Sequence, residues 1–296
     1  MEYYASGKLM LFGEYLVLRG AACLAIPLCF GQRLFVTETG GRNFTWQSEC
    51  NGNVWFNCRL SPDLQIIESN DTSVASKLAL LLDSIRQQNK ALFEKGLHFR
   101  IVADFDRNWG FGSSSTLISC LSQWSGIDAY YLLENSFGGS GYDVACASST
   151  GPIIYQMQEK QSTAVYLYPK VTSKLLFVYS GLKQNTFTQV DNFSKIDIDA
   201  STLDEMDNIL IAACRATQVE DFEKAMIESE DILSGILGLP AIKQNNFADY
   251  PFAIKSLGAW GGDFFMASYR REDEAKAYFT QKGYPIFFTY NQLIKK

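Results

Sequence analysis

The chain has 296 residues, of which 47% are hydrophobic, 14% aromatic and 20% charged. This is the composition of a globular protein, long enough for two modest domains or one large one. The net charge of −6 and the lack of a basic stripe argue against a nucleic-acid partner. No apolar run approaches about 18 residues and no targeting pattern opens the chain, so we expect no membrane span and a cytoplasmic location.

The cysteines and the single histidine limit the kinds of metal site and catalytic site that the chain can form. The seven cysteines are odd in number and include no Cys-x-x-Cys pair, so we expect reduced thiols rather than disulfides or a zinc site. The single histidine, His98, falls on the polar side of a predicted strand and is interpreted as structural. A catalytic Ser-His-Asp set or a multi-histidine metal site is therefore disfavoured.

The N-terminal motif, residues 5–18, reads Ala-Ser-Gly-Lys-Leu-Met-Leu-Phe-Gly-Glu-Tyr-Leu-Val-Leu. Residues 4–25 have the pattern of a strand, a tight turn and a second strand, with strand formers at 15–18. Lys8 and Glu14 are charges in an otherwise apolar stretch, which is unusual unless they are paired or face a cleft. The alternative is a solvated strand face.

The next segments follow simple periodic patterns. Residues 34–57 resemble hairpins with a turn at Asn51-Gly52, and residues 73–89 have the spacing of an amphipathic helix. In residues 97–105 every second residue is apolar, which predicts a strand.

The serine loop, residues 108–116, reads Asn-Trp-Gly-Phe-Gly-Ser-Ser-Ser-Thr and lies between that strand and a predicted helix. Gly110 and Gly112 allow close backbone approach to a ligand. The following serines place amide donors and hydroxyls at a helix N-terminus, which suits a phosphate. The alternative is a glycine turn with a serine cap.

A helical stretch at 127–137 ends at Gly138, and the aspartate motif, residues 139–145, follows with Asp143 at its centre. Asp143 is either functional or a cap for the next turn. Strands are predicted at 153–156, 164–168 and 175–179. The change of sheet near residues 162–173 gives domains 1–168 and 169–296.

The remaining chain mixes helices and strands. Helices are predicted at 202–216, 220–233 and 272–282, and a last strand at 285–290. Between them lies the C-terminal glycine motif, residues 258–263, which reads Gly-Ala-Trp-Gly-Gly-Asp. This order of elements predicts an α+β second domain.

These four motifs, in this order, resemble the small-molecule kinases named for galactose, homoserine, mevalonate and phosphomevalonate, the GHMP kinases. The resemblance runs from about Ala5 to Ala267. It implies an α+β, two-domain GHMP kinase fold, with a ribosomal-protein-S5-like N-terminal domain and a ferredoxin-like C-terminal domain. It also implies ATP and Mg²⁺ as cofactors, a small-molecule acceptor, and a monomer or homodimer.

The resemblance assigns roles to individual residues. The catalytic pair is Lys8 and Asp143, with Asp143 orienting the acceptor hydroxyl and Lys8 stabilising the phosphoryl oxygens. The nucleotide-binding residues are Asn108, Gly110, Phe111, Gly112, Ser113, Ser114 and Ser115. The acceptor-binding residues are Glu14, Tyr15, Ser140, Gly141, Lys183, Gly261 and Gly262.

The magnesium ligands match less well. Ser114 corresponds to the family's magnesium-binding hydroxyl, but the glutamate of the mevalonate-kinase members falls on Leu132. Glu134 lies two residues later, about 200° around a helix, so it substitutes only if the helix end is remodelled. Ser114 and Glu134 are the candidate metal ligands.

The acceptor is left open between two classes. The aspartate motif and Asp263 look most like phosphomevalonate kinase, whereas the N-terminal motif with Lys8 fits mevalonate kinase equally. A phosphate acceptor should need extra cations, for which Arg107, Lys77 and Lys183 are candidates. An alcohol acceptor should depend more on Asp143. Phosphomevalonate is the first candidate, and mevalonate, another metabolite or a sugar are the alternatives.

Other classes of nucleotide-binding protein fit the sequence motifs less well. A dinucleotide-binding fold needs Gly-x-Gly-x-x-Gly after its first strand, and a P-loop needs Gly-Lys-Ser/Thr, whereas Gly7-Lys8 is followed by leucine. A catalytically silent metabolite-binding relative stays open, because Asp106 and Asn108 replace a usual proline and glycine and Trp260 replaces a glycine.

Overall fold

The computed structural model describes residues 1–182, 193–260 and 262–295. Strands and helices are mixed along the chain, with five strands before the first α-helix, which is the α+β architecture expected from the sequence. The chain separates into a first unit of residues 1–7, 30–107 and 111–148 and a second unit of residues 8–29, 108–110 and 149–296. The predicted boundary between residues 168 and 169 stays a prediction.

A mixed sheet forms the centre of the first unit. Its strands are β1 (Glu2–Phe12), β2 (Cys23–Glu38), β3 (Phe44–Cys50), β4 (Asn53–Leu60), β5 (Ile66–Ser69) and β6 (Leu97–Ala103). Their order is β5-β4-β3-β6-β2, with β1 paired to β2, and both β1 and β2 continue into the second unit. β3 and β6 are parallel, whereas β2 and β6 are antiparallel. Alternate residues of β6 are buried, as its sequence pattern predicts.

Helices cover the apolar side of this sheet. They are α1 (Thr72–Gln88), α2 (Ser113–Ser125), α3 (Ala129–Glu134) and α4 (Tyr142–Ser148), with a 3-10 turn at Lys90–Phe93. Asp71 begins α1 by accepting a hydrogen bond from the Val74 N–H at 3.1 Å. The shared core includes Trp46, Leu81, Phe99, Ile118, Leu132 and Val144.

The second unit contains a separate four-stranded antiparallel sheet. Its strands are β9 (Leu175–Tyr179), β10 (Ile254–Leu257), β11 (Phe264–Ser268) and β12 (Phe287–Thr289), in the order β10-β11-β9-β12. Two further strands of this unit, β7 (Ile153–Gln156) and β8 (Gln161–Ala164), form a hairpin, and β7 pairs with the first residues of β2.

In its described residues, the second unit contains three long helices at the predicted places and three short helices that were not predicted. They are α5 (Pro169–Thr172), α6 (Ala200–Arg215), α7 (Val219–Leu237), α8 (Ile242–Asn246), α9 (Glu272–Gln281) and α10 (Tyr290–Leu293). Phe247 of the core packs on Phe265 and Phe279, with ring centroids 5.0 and 5.5 Å apart. Across the described part of the chain, none of the helices combines the length and apolar character needed to traverse a bilayer.

Two predicted strands differ from the structure. Residues 15–18 were expected to extend a strand, but Leu16–Arg19 is a 3-10 helix, because Gly13 and Tyr15 turn the backbone with φ of 92° and 62°. The strand expected at 164–168 instead lies at Gln161–Ala164, because the turn that ends at Lys160 returns the chain directly alongside β7.

The single histidine contacts a neighbouring strand, and the cysteines are free thiols. The Nδ1 atom of His98 lies 2.8 Å from the Thr45 hydroxyl on the neighbouring strand β3. None of the seven cysteines, all of which lie in the described residues, forms a disulfide.

Candidate active site

The serine loop opens helix α2 in the first unit. Gly112 precedes the helix with φ of 84°, a left-handed conformation that favours glycine. Ser113 and Ser114 are exposed, whereas Ser115 is buried and its hydroxyl donates to the Gly112 carbonyl at 2.8 Å. The amide groups of a first helical turn have no intrahelical acceptor, and the helix dipole makes this end positive. The exposed turn therefore has the properties of an anion site.

The N-terminal motif approaches this loop through Gly7. Phe111 is fully buried and packs on Phe30 and Phe105, with ring centroids 5.9 and 5.8 Å apart. A Cβ on Gly7 would lie 2.9 Å from the Phe111 carbonyl oxygen and 3.1 Å from that of Phe30. Glycine at position 7 thus lets β1 pass directly beside the serine loop. Within the first unit, the structure brings these two motifs together.

The aspartate motif lies on a helix that packs against α2. Gly139 and Gly141 have φ of 107° and 85°, and Ser140 between them is half-buried. Asp143 is half-buried in the first turn of α4, while Val144 is buried in the core next to it. The glycines therefore turn the chain so that α4 begins beside the helix that the serine loop opens.

The other end of the serine loop belongs to the second unit. Trp109 packs on Phe288 of β12, with ring centroids 5.2 Å apart, and Asn108 precedes it. Gly110 has φ of 65°, and a Cβ at this position would collide with the carboxylate of Asp263. The Asp263 carbonyl also accepts a hydrogen bond from the Ser180 N–H at 2.9 Å. Residues 108–110 are thus in contact with the C-terminal glycine motif.

The N-terminal motif makes two buried contacts, one with the strand that precedes the C-terminal glycine motif and one with that motif itself. The Nζ atom of Lys255 lies 2.6 Å from Oε1 of Glu14, and the exposed fractions of these side chains are 0% and 3%. One residue further, the Tyr15 hydroxyl accepts a hydrogen bond from the Trp260 N–H at 2.6 Å. Charged side chains are rarely buried this completely unless they are paired.

Tyr15 has an unusual backbone conformation. Its φ and ψ are 62° and −47°, and the Leu16 N–H donates to the Glu14 carbonyl at 2.6 Å, which closes a γ-turn of the rare, strained kind. The ring packs 5.3 Å from that of Phe193. Burial raises the pKa of the Tyr15 phenol to about 12, and the Trp260 hydrogen bond opposes part of that shift. The phenol is therefore neutral at physiological pH and acts as a hydrogen-bonding and packing group.

Several of the residue roles expected from the sequence remain predictions. Lys8 is half-buried on β1 in the second unit and Asp143 belongs to the first unit, so their pairing stays a prediction. Gly262 closes a tight turn by donating to the Ala259 carbonyl at 2.7 Å. The predicted acceptor residues Lys183 and Gly261 lie outside the described residues.

The two candidate magnesium ligands are both exposed. Ser114 lies in the first turn of α2, and Glu134 is the last residue of α3. Leu132, on which the family offset falls, is completely buried in the core and has no ligating atom in its side chain. In residues 1–182, 193–260 and 262–295, no three Asp, Glu, His or Cys side chains form a metal-binding group. Magnesium bound with a nucleotide needs only one or two protein oxygens, and a hydroxyl and a carboxylate are suitable donors.

The sequence reasoning missed two buried charged residues. Lys255 lies on β10, where all four residues are buried. Glu230 on α7 is 2% exposed and accepts hydrogen bonds from the Ser256 N–H and hydroxyl, both at 2.9 Å. A lysine inside an apolar strand just before a glycine motif was the available signal, of the same kind that singled out Lys8.

The structure of this chain is similar to solved structures of several kinases. No protein-family model matches the sequence, and a search of curated proteins gives no significant match. Mevalonate kinase from Methanococcus jannaschii superposes with a TM-score of 0.74 at 17% identity, covering 97% of this chain and 96% of that one. Phosphomevalonate kinase from Streptococcus pneumoniae, solved with phosphomevalonate and AMPPNP, gives 0.74 at 16%, covering 98% and 99%.

A sugar kinase has a similar structure too. Galactokinase from Lactococcus lactis, solved with galactose, gives a TM-score of 0.67 at 11% identity, covering 97% of this chain and 92% of that one. At these identities the comparison establishes the fold and leaves the acceptor open. The chain therefore has the two-domain α+β fold that these GHMP kinases share.

Proposed function

We propose that the protein is an ATP-dependent kinase that transfers a phosphoryl group to a small metabolite, with phosphomevalonate as the first candidate acceptor. The observation that carries this proposal is the pairwise contact of motifs far apart in sequence. Gly7 lies against Phe111 in the first unit, and Gly110 lies against Asp263 in the second. A glycine turn with a serine cap, the alternative interpretation of the serine loop, does not by itself require these contacts, so they support the proposal.

The serine loop would bind the nucleotide phosphates. The amides of the first turn of α2 and the exposed hydroxyls of Ser113 and Ser114 are donors, and the dipole of a 13-residue helix favours negative charge. Ser115 would contribute its backbone, because its hydroxyl already donates to Gly112. Phe111 holds the loop in place through its buried ring.

Magnesium would supply charge neutralisation at the phosphates. The Ser114 hydroxyl is the first protein oxygen for it, and Glu134 is the second candidate. With an alcohol acceptor, Asp143 would accept a hydrogen bond from the reacting hydroxyl and orient it, and with either class of acceptor Lys8 would stabilise charge on the phosphoryl oxygens. Ser140 and Gly141 beside Asp143, and Glu14, Tyr15, Lys183, Gly261 and Gly262, are the proposed acceptor contacts.

Mevalonate is the second candidate acceptor, and one observation favours it. The guanidinium of Arg107, a cation considered for a phosphate acceptor, lies 3.5 Å from the centroid of the Trp55 ring and forms a cation–π contact. Lys77, another such cation, is exposed on α1. An alcohol acceptor does not require either of them, and it would depend more strongly on Asp143.

The deciding experiment is a coupled ADP-release assay with Mg-ATP and each acceptor in parallel. Phosphomevalonate, mevalonate, homoserine and several sugars would be offered at equal concentration. Turnover well above the rate without acceptor, for one of them, is the expected result and names the substrate. ATP binding without turnover on any acceptor would instead support a silent metabolite-binding protein.

A further inference from the structure

The four-stranded sheet of the second unit has two different faces. Successive residues of a strand point to opposite sides, so the neighbours Phe287 and Phe288 of β12 face in opposite directions. Phe287 packs against the buried core around Phe265. The register of β9 with β11 and β12 places Tyr179 and Phe264 on the other side, together with Phe288. Tyr179, Phe264 and Phe288 thus form an aromatic face, with one ring from each of three adjacent strands.

Trp109 of the serine loop packs on this aromatic face. Its ring centroid lies 5.2 Å from that of Phe288 and 6.5 Å from those of Phe264 and Tyr179. The interplanar angles with Phe288 and Phe264 are 70° and 87°, which is the edge-to-face geometry that aromatic pairs favour. Phe264 is only 1% exposed, and Trp109, itself half-buried, contributes to its cover. A residue of the loop is therefore part of the packing of the sheet.

The next residue of the loop is held at the same place. Gly110 contacts the carboxylate of Asp263, which directly precedes Phe264 in the sequence. The Asp263 carbonyl accepts a hydrogen bond from the Ser180 N–H at 2.9 Å, so Asp263 is tied to the end of β9. Two consecutive residues of the loop thus contact two consecutive residues at the start of β11.

This attachment matters because the serine loop contains two glycines with positive φ, Gly110 and Gly112. Glycine loses more conformational freedom on ordering than any other residue. A ligand that has to order such a loop offsets that cost from its own binding free energy, whereas a loop that is held in advance binds more tightly. Trp109 and Phe111, the two aromatic residues of the loop, are the large side chains that hold it.

We propose that Trp109 is a positioning residue, which holds the serine loop on the aromatic face in the conformation that binds the nucleotide phosphates. This inference rests on the proposed kinase function and adds a residue that acts through the backbone of the loop. Loss of the Trp109 ring should therefore weaken nucleotide binding and leave acceptor binding unchanged.

The test measures the affinity for a nonhydrolysable ATP analogue by calorimetric titration, together with the acceptor KM and the melting temperature. Trp109→Ala is expected to weaken binding of the analogue by about tenfold, while the acceptor KM changes by less than about twofold. Trp109→Phe keeps a ring on the aromatic face and is expected to recover most of the affinity. A folded Trp109→Ala protein with a lowered melting temperature and wild-type affinity would overturn the proposal, because its ring would then serve stability alone.

The same contact can be removed from the side of the sheet. Phe288→Ala is expected to weaken binding of the analogue as Trp109→Ala does. Phe287→Ala is the matched control, because it removes the same kind of ring from the same strand on the opposite face and should keep the wild-type affinity. These two variants decide the question if Trp109→Ala does not fold, and equal losses of affinity in both would overturn the proposal.

A double-mutant cycle tests whether Trp109 and Phe288 act through one contact. The variant with both changes to alanine is expected to lose less affinity than the product of the two single losses, because the second change removes a contact that is already gone. Single losses that multiply in the double variant would contradict the proposal, since the two rings would then act independently.

The wild-type protein separates the two levels of inference. If the wild type does not bind the ATP analogue, the kinase proposal fails and the role of Trp109 fails with it. If the wild type binds the analogue and the folded Trp109→Ala variant binds it equally well, the positioning role alone is wrong.

Discussion

Gly110 leaves the space that the carboxylate of Asp263 occupies, and it does so with a φ of 65°. The two residues are more than 150 positions apart in the sequence. One belongs to the serine loop and the other closes the C-terminal glycine motif. Glycine is therefore required at position 110 for two independent reasons, the left-handed backbone and the absence of a Cβ.

The first prediction separates these two reasons. Gly110→Ala should lower the free energy of unfolding by clearly more than the about 1–2 kcal/mol that a left-handed alanine costs, because the Cβ must displace Asp263. Gly138→Ala is the matched control, since Gly138 also has φ of 65° but a Cβ there meets no atom within 4 Å. Urea unfolding of both variants provides the comparison, and equal losses would show that the Asp263 contact has no energetic role.

A second prediction concerns the contact between Gly7 and Phe111. Gly7→Ala should weaken ATP binding at least tenfold, because its Cβ would press on the Phe111 carbonyl at 2.9 Å and shift the serine loop. Gly151→Ala is the control, since nothing lies within 4 Å of a Cβ at that position. Calorimetric titration with a nonhydrolysable ATP analogue measures the affinity. Unchanged affinity in Gly7→Ala would mean that the loop does not bind the nucleotide.

Much of this arrangement could be predicted from local sequence. The alternation in β6, the glycines of the serine loop and the serines that begin α2 specify a strand, a turn and a helix N-terminus with no long-range information. Gly110 and Gly112 were predicted to allow close backbone approach, and the structure shows that both also adopt the left-handed conformation that glycine permits. The order of the predicted strands and helices also indicated an α+β architecture.

Contacts between distant residues could not be predicted in the same way. Glu14 and Lys255 are separated by 241 positions, and no periodicity connects them. Trp260 stood out in the sequence as a departure from a glycine motif. In the structure its ring is buried and its N–H is bonded to Tyr15, so the larger residue is accommodated by a specific partner. The 3-10 helix at Leu16–Arg19 was missed because it follows a tyrosine with positive φ, a conformation that a tyrosine in the sequence does not indicate.

A third prediction tests the role of Asp143. Asp143→Asn should reduce kcat by about 10²–10⁴-fold, the usual contribution of a positioned acid or base, while the melting temperature stays close to that of the wild type. Asp128→Asn is a suitable control, because Asp128 caps α3 by accepting from the Tyr131 N–H at 2.9 Å and asparagine caps equally well. A near-normal rate for Asp143→Asn would contradict the assigned role.

A fourth prediction distinguishes the neighbouring serines of α2. Ser114→Ala should raise the magnesium concentration needed for half-maximal activity, because the proposed hydroxyl ligand is lost. Ser113→Ala, also exposed in the same turn, should have a smaller effect on that concentration. Neither change should lower stability measurably, since both residues are exposed. An identical magnesium dependence in all three proteins would remove Ser114 from the metal site.

The last prediction concerns pH and the buried carboxyl of Glu230. Burial raises the pKa of Glu230 above its ordinary value of 4.5, although attraction to Lys255 and the hydrogen bonds from Ile242 and Ser256 oppose that shift. The native state therefore holds this proton more tightly than the unfolded chain does. From about pH 4.5 up to the native pKa, the contribution of Glu230 to stability falls as pH rises, by at most about 1.4 kcal/mol per pH unit.

Glu230→Gln removes this titration, so the free energy of unfolding of the wild type should decline relative to the variant as pH rises through that range. The amide group of glutamine also replaces one carboxylate oxygen that accepts a hydrogen bond from Ser256. This loss changes the free energy of unfolding by an amount that does not depend on pH. The informative quantity is therefore the pH slope of the difference in free energy of unfolding between the wild type and the variant. Glu205→Gln on the exposed side of α6 controls for the change in net charge. Parallel pH curves for the wild type and Glu230→Gln would mean that Glu230 is ionised in the native state throughout, stabilised by Lys255 more strongly than burial destabilises it.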